Sequence, residues 1–528
     1  MEKRAVLAVV LSLLVLLGYQ YIFAPKEPIV AEKSVPLSGS MPAGPASAMT
    51  PALEHPKAEG AAHPSLPQGE GLTGKDIVVE TDTIRAVLNT KSASVKSWTL
   101  KRYKDKANGT VSVELVPPGK RQLELVSTEN GSQFPDNLIY ASDKESLNGA
   151  GSITFTAVRP DGTNVRKTFT FTENSYKAAL KVSYENTGSS VITERPALSM
   201  SMISKVADRG ELFHEMAFLS GKDLKRIHAD KIKDEKAGSG EMEWAYLGDK
   251  YFITAVMPTS GGDAEVYSKK VGEELFEASL VFRSLQIKPG ETKVMEYGLY
   301  FGPKEVGILK AAGSKLERAI DLGFFDLIAY PMLLSFKWMY EVIPNYGVVV
   351  ILLTVLIKIL FWPLSQKSYK SMKDMQKVAP LMEQIREKYK DDKERLNKEV
   401  MDLYKRHKVN PLGGCLPMIL QIPVFFALYA VVGGAVELRH APFILWITDL
   451  SAKDPYYVTP VIMGATMFIQ QKMTPSATAD PMQQKVMMLM PVIFTFMFLN
   501  FSSGLVLYWL INNVLSIGQQ HYVNKYIK

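Results

Sequence analysis

The sequence is almost without cysteine. Its 528 residues hold one, Cys415, so no disulfide can form within the chain and every soluble part must fold on packing alone. Histidine is sparse too: the seven are scattered, with no paired-His or Cys/His spacing to hold a metal, and His214 and His228 read as ordinary surface residues. No glycine-rich, phosphate-cradling loop is present, and no internal repeat. These absences argue against an enzyme, and neither a cofactor nor a metal is expected. Uninterrupted basic runs are lacking as well. Between Lys367 and Lys408, thirteen Lys/Arg are interleaved with eight Asp/Glu, which suits a solvated helical face and not DNA binding.

What is present divides in two. A mean hydropathy of +0.00 averages a polar stretch up to about residue 304 with apolar runs from Phe324 onward, and the length alone calls for at least two modules. Lys3 and Arg4 precede an apolar run close to the roughly 20 residues of a spanning helix. A small-x-small cleavage pattern is missing, so residues 1–24 read as a retained anchor instead of a signal peptide. Residues 25–75, rich in Pro, Ala, Ser and Gly, form a disordered tether.

From 76 to 304 the apolar period is two. Residues 153–158 and 165–171 alternate on either side of Asp161-Gly162, a hairpin signal, and an all-β sandwich domain follows. Val306, Leu309, Ala312, Leu316, Ala319 and Ile320 then recur at helical spacing. They place an amphipathic helix and its lead-in at 305–346, expected along the outer membrane surface; packing against the β domain is the plainer alternative.

Five more apolar segments occupy 347–364, 410–435, 458–471, 486–501 and 502–528. They are joined by a helical hairpin at 365–409, an outer loop at 436–457 and an inner loop at 472–485. Six spans put both termini on one side. The basic excess at 365–409 marks that side as the cytoplasm, leaving 25–346 outside.

One lysine interrupts the apolar runs. Lys358 lies within 347–364, where a charge near a helix centre costs roughly 2.5–3.5 kcal/mol and tends to line an aqueous cavity. Snorkelling to the headgroups explains it equally well from sequence. Thr354 lies one turn earlier on the same face. Gln421, Asn512 and Asn513 interrupt other spans, either as interhelical glue or as walls of a polar recess. None of the apolar runs carries an Asp or Glu, which argues against a proton relay and leaves a cation free to attract acidic groups on a substrate. Pro423 removes a helical hydrogen bond and can kink its span.

Val409-Asn410-Pro411-Leu412-Gly413-Gly414-Cys415-Leu416-Pro417, Gln421-Ile422-Pro423-Val424-Phe425, Asp449-Leu450-Ser451-Ala452-Lys453-Asp454-Pro455-Tyr456-Tyr457 and Asp480-Pro481-Met482-Gln483-Gln484-Lys485 resemble the YidC membrane protein insertases of the Oxa superfamily. The likeness runs from about Phe324 to His521. Upstream, the plan of anchor, tether and β domain is similar to the Gram-negative members, with their periplasmic β-supersandwich. The resemblance implies a cell inner membrane protein with residues 25–346 periplasmic. It also implies a five-helix core around a hydrophilic groove that is open to cytoplasm and lipid. In that groove Lys358 stands where most members carry arginine, with Thr354 at a family groove position and Trp509 where an aromatic faces the groove; Gln421 and Asn512 join this candidate groove as the polar residues already noted in neighbouring spans. Substrate helices would slide past Ile422, Pro423 and Phe425. Implied partners are nascent membrane proteins, the Sec translocon with its accessory subunits, membrane lipids, and the ribosome or signal recognition machinery at 365–409. Two other classes remain: a small-solute transporter with an intramembrane lysine site, and a membrane-anchored sugar enzyme. The first calls for duplicated broken-helix halves and the second for clustered acid–base groups in the β domain, and the sequence offers neither.

Overall fold

The computed structural model describes residues 74–526 except 108, 130–131, 136, 205–213, 260–261, 273, 391, 408, 410–415 and 474–480. The expected anchor at 1–24 and nearly all of the tether lie outside the described residues.

Strands between Asp76 and Pro303 build two main sheets. The larger has twelve strands, all antiparallel, with Lys177–Asn186 paired between Thr163–Phe171 and Thr292–Pro303. The Asp-Gly hairpin forms: Gly151–Val158 pairs with Thr163–Phe171, and Gly162 closes the turn at φ 85°, a conformation open to glycine. Alternate side chains of Lys177–Asn186 are buried, as a strand with one packed face requires. The smaller, five-stranded sheet supplies the facing layer. Its Trp98 packs on Phe171 and Phe301 of the larger sheet, with ring centroids 5.9 and 4.7 Å away. One buried ion pair anchors the end of the domain. Lys304 Nζ donates to Glu215 Oε1 at 2.9 Å, and the Tyr246 hydroxyl donates to the same oxygen at 2.5 Å.

Helix α1 (Val306–Ala312) and the turn Leu316–Ala319 correct one expectation. Leu309, Ala312, Leu316 and Ala319 are buried within the β-domain core, so this amphipathic stripe covers sheet residues, the plainer of the two alternatives. The stripe has a helical period, but periodicity does not say what the apolar face meets. Within 305–346 it is helix α2 (Asp326–Val342) that keeps an uncovered apolar face. Ala329, Met332, Leu333 and Phe336 are buried, whereas Leu327, Trp338 and Val342 are 90, 67 and 70% exposed.

Helix α3 (Tyr346–Leu360) starts at Asn345, whose side chain accepts from Val348 N, a standard N-cap. It stops at Phe361. Trp362-Pro363 then opens helix α4 (Trp362–Lys388), where proline's missing N–H costs nothing in a first turn, and the two axes bend by 63°. The expected boundary at 364/365 therefore falls inside α4. Helix α5 (Lys393–Arg406), capped by Asp392, folds back on α4. Met375, Val378, Met382, Leu403 and Val409 form the hairpin's own small core.

Helices α6 (Leu416–Gly434), α7 (Val458–Met473), α8 (Pro481–Phe498) and α9 (Ser503–Tyr526) complete the bundle. Their shared core joins Leu428, Val431 and Val432 to Leu505, Val506 and Tyr508, and to Val349, Val350 and Leu353 of α3. Helices α7 and α8 cross at Gly464, where a Cβ would overlap the Thr495 hydroxyl. Among the described residues no single helix is both long and apolar enough to cross a membrane. The bent α3–α4 pair meets that test together, and Gln421–Gly434 and Met487–Phe498 are shorter apolar helices.

Candidate functional site

The lysine singled out by sequence sits where three helices converge. Lys358 of α3 reaches across to α9, and its Nζ donates to Ser516 Oγ at 2.6 Å and to Asn512 Oδ1 at 3.5 Å. From α6, Gln421 Nε2 donates to the same Asn512 oxygen at 2.9 Å and to the Tyr508 hydroxyl at 3.3 Å. Ser516 Oγ in turn donates to the Asn512 backbone carbonyl at 2.7 Å. One connected polar chain thus runs Gln421–Asn512–Lys358–Ser516 through an otherwise apolar bundle. Both acceptors of the ammonium are neutral, and α3, α6, α7, α8 and α9 carry no Asp or Glu. The lysine points inward instead of snorkelling, held by hydrogen bonds and not by an ion pair.

The structure brings Lys358, Gln421 and Asn512 together, and it separates the other candidates from them. Thr354 is buried and donates to the Val350 carbonyl of its own helix at 2.6 Å, outside the polar chain. Trp509 belongs to an aromatic cluster with Phe425, Phe494 and Phe498, at centroid distances of 5.0, 6.3 and 5.1 Å. Phe425 is therefore packed edge-on against Trp509, while Ile422 is exposed and Pro423 lies within α6 beside it. Asn513 points elsewhere and donates to Thr466 of α7 at 3.3 Å, the interhelical-glue role.

Tyr508 and Ser516 escaped sequence reading, although the signal was available. With Asn512 they are spaced by four, so all three share one face of α9.

The end of the bundle beside the β domain is closed by 436–457. Ser503 N and Oγ both donate to the Ala452 carbonyl at 2.7 Å, and Gly504 N donates to the Leu450 carbonyl at 2.9 Å. Phe443 fills the space that a Cβ on Gly347 would need. Asp454, fully buried, accepts from Thr459 N and Oγ1, Tyr456 N and Trp446 Nε1 at 2.7–3.1 Å. Those donors hold its carboxyl below the usual range although burial opposes them. No group of three or more potential metal ligands occurs among the described residues.

A β-sandwich domain set on a helical bundle, with a lysine held among three of the bundle's helices, is a two-part architecture. Residues 338–528 match the 60Kd inner membrane protein family and residues 76–335 the YidC periplasmic domain. The membrane protein insertase YidC of Geotalea daltonii is 44% identical over 99% of both chains, and that of Geobacter metallireducens is 43% identical over 100% of this chain and 99% of its own. A solved active YidC insertase covers 87% of this chain and 96% of its own at a TM-score of 0.39 and 17% identity. The chain belongs to the YidC membrane protein insertase family, whose members are inner membrane proteins.

Proposed function

We propose that this chain inserts nascent membrane proteins, and that the polar chain around Lys358 is where the incoming segment is first held. The observation that carries this reading is the Lys358 ammonium kept inside the bundle by Ser516 and Asn512. A cation with only neutral partners attracts an acidic or polar tail in a medium of low dielectric. Hydrophobic segments then leave toward lipid past Ile422, Pro423 and Phe425 and along α8. There Met488, Leu489, Val492 and Phe496 are exposed, and methionine-rich surfaces adapt to varied partners. Thr354 and Trp509 act at the margins of the site, one packed behind Lys358 and the other walling the apolar side.

In this reading six spans place both termini in the cytoplasm and 25–346 in the periplasm, and the uncovered face of α2 rests on the outer lipid surface. The α4–α5 hairpin receives substrates from the ribosome or signal recognition machinery, and the bundle works alone or beside the Sec translocon. Site-specific photo-crosslinking from positions 421, 512 and 516 to stalled nascent chains tests the reading. Adducts are expected from these positions and not from Lys288 on the β domain. Absence of adducts from all three sinks the proposal.

A further inference from the structure

Where the β domain rests on the helical bundle, three charged side chains from three segments meet. Glu305 follows the last strand, Lys337 sits on α2, and Glu437 lies in the short turn Val436–Leu438 after α6. Lys337 Nζ stands 2.8 Å from Glu305 Oε1 and 3.6 Å from Glu437 Oε1. One lysine thus serves two carboxylates. Glu437 is the more enclosed, with its side chain 6% exposed and neither oxygen hydrogen-bonded among the described residues.

The same loop makes the main contacts across the joint. Arg439 donates to the carbonyls of Lys104 and Asp105 at 2.6 and 2.8 Å and stands over the rings of Tyr251 and Phe252. Tyr251 donates its hydroxyl to the Gly433 carbonyl at 3.3 Å. The other groups facing the cluster are Tyr103, 3.4 Å from Glu305 Oε2, with Tyr176 behind it. Tyr340 and Tyr346 stack on each other nearby, and His440 with Asp449 lies further along the loop.

We propose that Glu305, Lys337 and Glu437 form a proton-sensitive clasp between the β domain and the helical bundle, closed when Glu437 is protonated and loosened when it ionises. A buried carboxylate without a well-formed hydrogen bond is costly as an anion, and the single ammonium is already engaged by Glu305 at the shorter distance. Burial pushes the Glu437 pKa up and the Glu305 charge adds to this, while its own backbone N–H and Lys337 oppose both and leave a net rise. Burial likewise disfavours the Lys337 charge, but its two carboxylates outweigh that and hold it protonated. Burial also drives Tyr103 far up, so that group stays neutral. Because the Glu437 pKa is higher docked than undocked, docking takes up a proton. Docking is therefore strongest below the ordinary carboxylate value and weakens as pH rises through the raised one. Each unit of that difference changes the docked-to-undocked ratio about tenfold.

The test uses the full chain in lipid nanodiscs, with Cys415→Ser, Lys288→Cys and Ile444→Cys carrying spin labels on the domain and the bundle. The interlabel distance distribution should shift from one docked population at pH 4 to a mixed one at pH 8.5. Glu437→Gln, a neutral isostere, should remain docked at both. Lys337→Met should undock more than the wild type at pH 8.5. A Glu437→Gln protein that titrates like the wild type overturns the clasp, as does a wild type that does not respond to pH. Loss of the response in His440→Gln with its retention in Glu437→Gln would assign the proton to the histidine and also overturn it.

Discussion

Ser516→Ala isolates what aims the interior lysine, because it leaves the charge in place and removes one acceptor. The lost bond is charge-assisted and 2.6 Å long, and hydrogen bonds to charged groups contribute about 1.5–3 kcal/mol. Asn512 Oδ1 is a poor substitute, lying 3.5 Å from the ammonium and already accepting from Gln421 at 2.9 Å. Lys358 is two residues from the end of α3, so a released side chain can extend toward the headgroups. The ratio of inward-held to headgroup-seeking lysine should fall roughly ten- to a hundredfold. The assay is initial-rate insertion of single-span substrates into proteoliposomes, read by protease protection, with acidic and neutral tails compared. Ser516→Ala should slow the acidic-tailed substrate and spare the neutral one, and Lys358→Ala should slow it further. Lys358→Arg should retain most activity, since the charge survives even though guanidinium geometry differs. Wild-type rates for both Ser516→Ala and Lys358→Ala on the acidic-tailed substrate would refute the reasoning.

Other outcomes follow from the packing and the outer loops. Lys304→Met strands Glu215 in the β-domain core and should cost about 3–5 kcal/mol, seen as a lower Tm in fluorescence from the buried Trp98 and Trp244. The Glu215 pKa is opposed by burial but held down by Lys304 and Tyr246. Its contribution is therefore present above the ordinary carboxylate value and is lost as pH falls through the lowered one; acid melts of Glu215→Gln should lack that slope. Asp454→Asn keeps one acceptor oxygen but puts an amide NH2 in place of the other, stranding two of the four donors, and should destabilise the 446–459 loop by about 1–3 kcal/mol, measured as faster amide exchange across 446–459. Gly464→Val forces α7 from α8 and should cost about 1–3 kcal/mol, checked by thermal stability in detergent.

Much of the architecture was legible because it rests on local periodicity. The alternation around Asp161-Gly162 specifies a hairpin by itself, and the Met375–Val378–Met382 stripe announces that α4 needs a partner. Lys358 was conspicuous for the same reason: a charge in an apolar run must be solved somehow. Its solution was not legible. Whether a lysine snorkels or points inward depends on what faces it from another helix, and Ser516 is 158 positions away in sequence. The stripe at 306–320 failed in the same way, since a period of 3.6 marks a buried face but is silent about its partner. Trp509 shows a finer limit. Its neighbour Tyr508 faces Gln421 and Trp509 itself faces Phe425, because adjacent helical residues project about 100° apart.

The two ends of the bundle are held by different kinds of force, and that difference bears on direction. At the end beside the β domain, backbone amides of Ser503 and Gly504 bond to carbonyls of Ala452 and Leu450, and buried Asp454 gathers the loop beneath them. Bonds of this type are short, uncharged or fully satisfied, and opening them would strand several buried polar groups at once. Further in, the polar chain is built from side chains that can exchange partners without stranding backbone. Asn512 is shared between Gln421 and Lys358, and Lys358 has no fixed counter-charge among its partners. A substrate carboxylate arriving there competes with a serine hydroxyl and not with a salt bridge, so it can displace the resting contact at small cost and leave again. Under the proposed function, a site that grips weakly below a firmly closed end suits passage of many different tails better than retention of one.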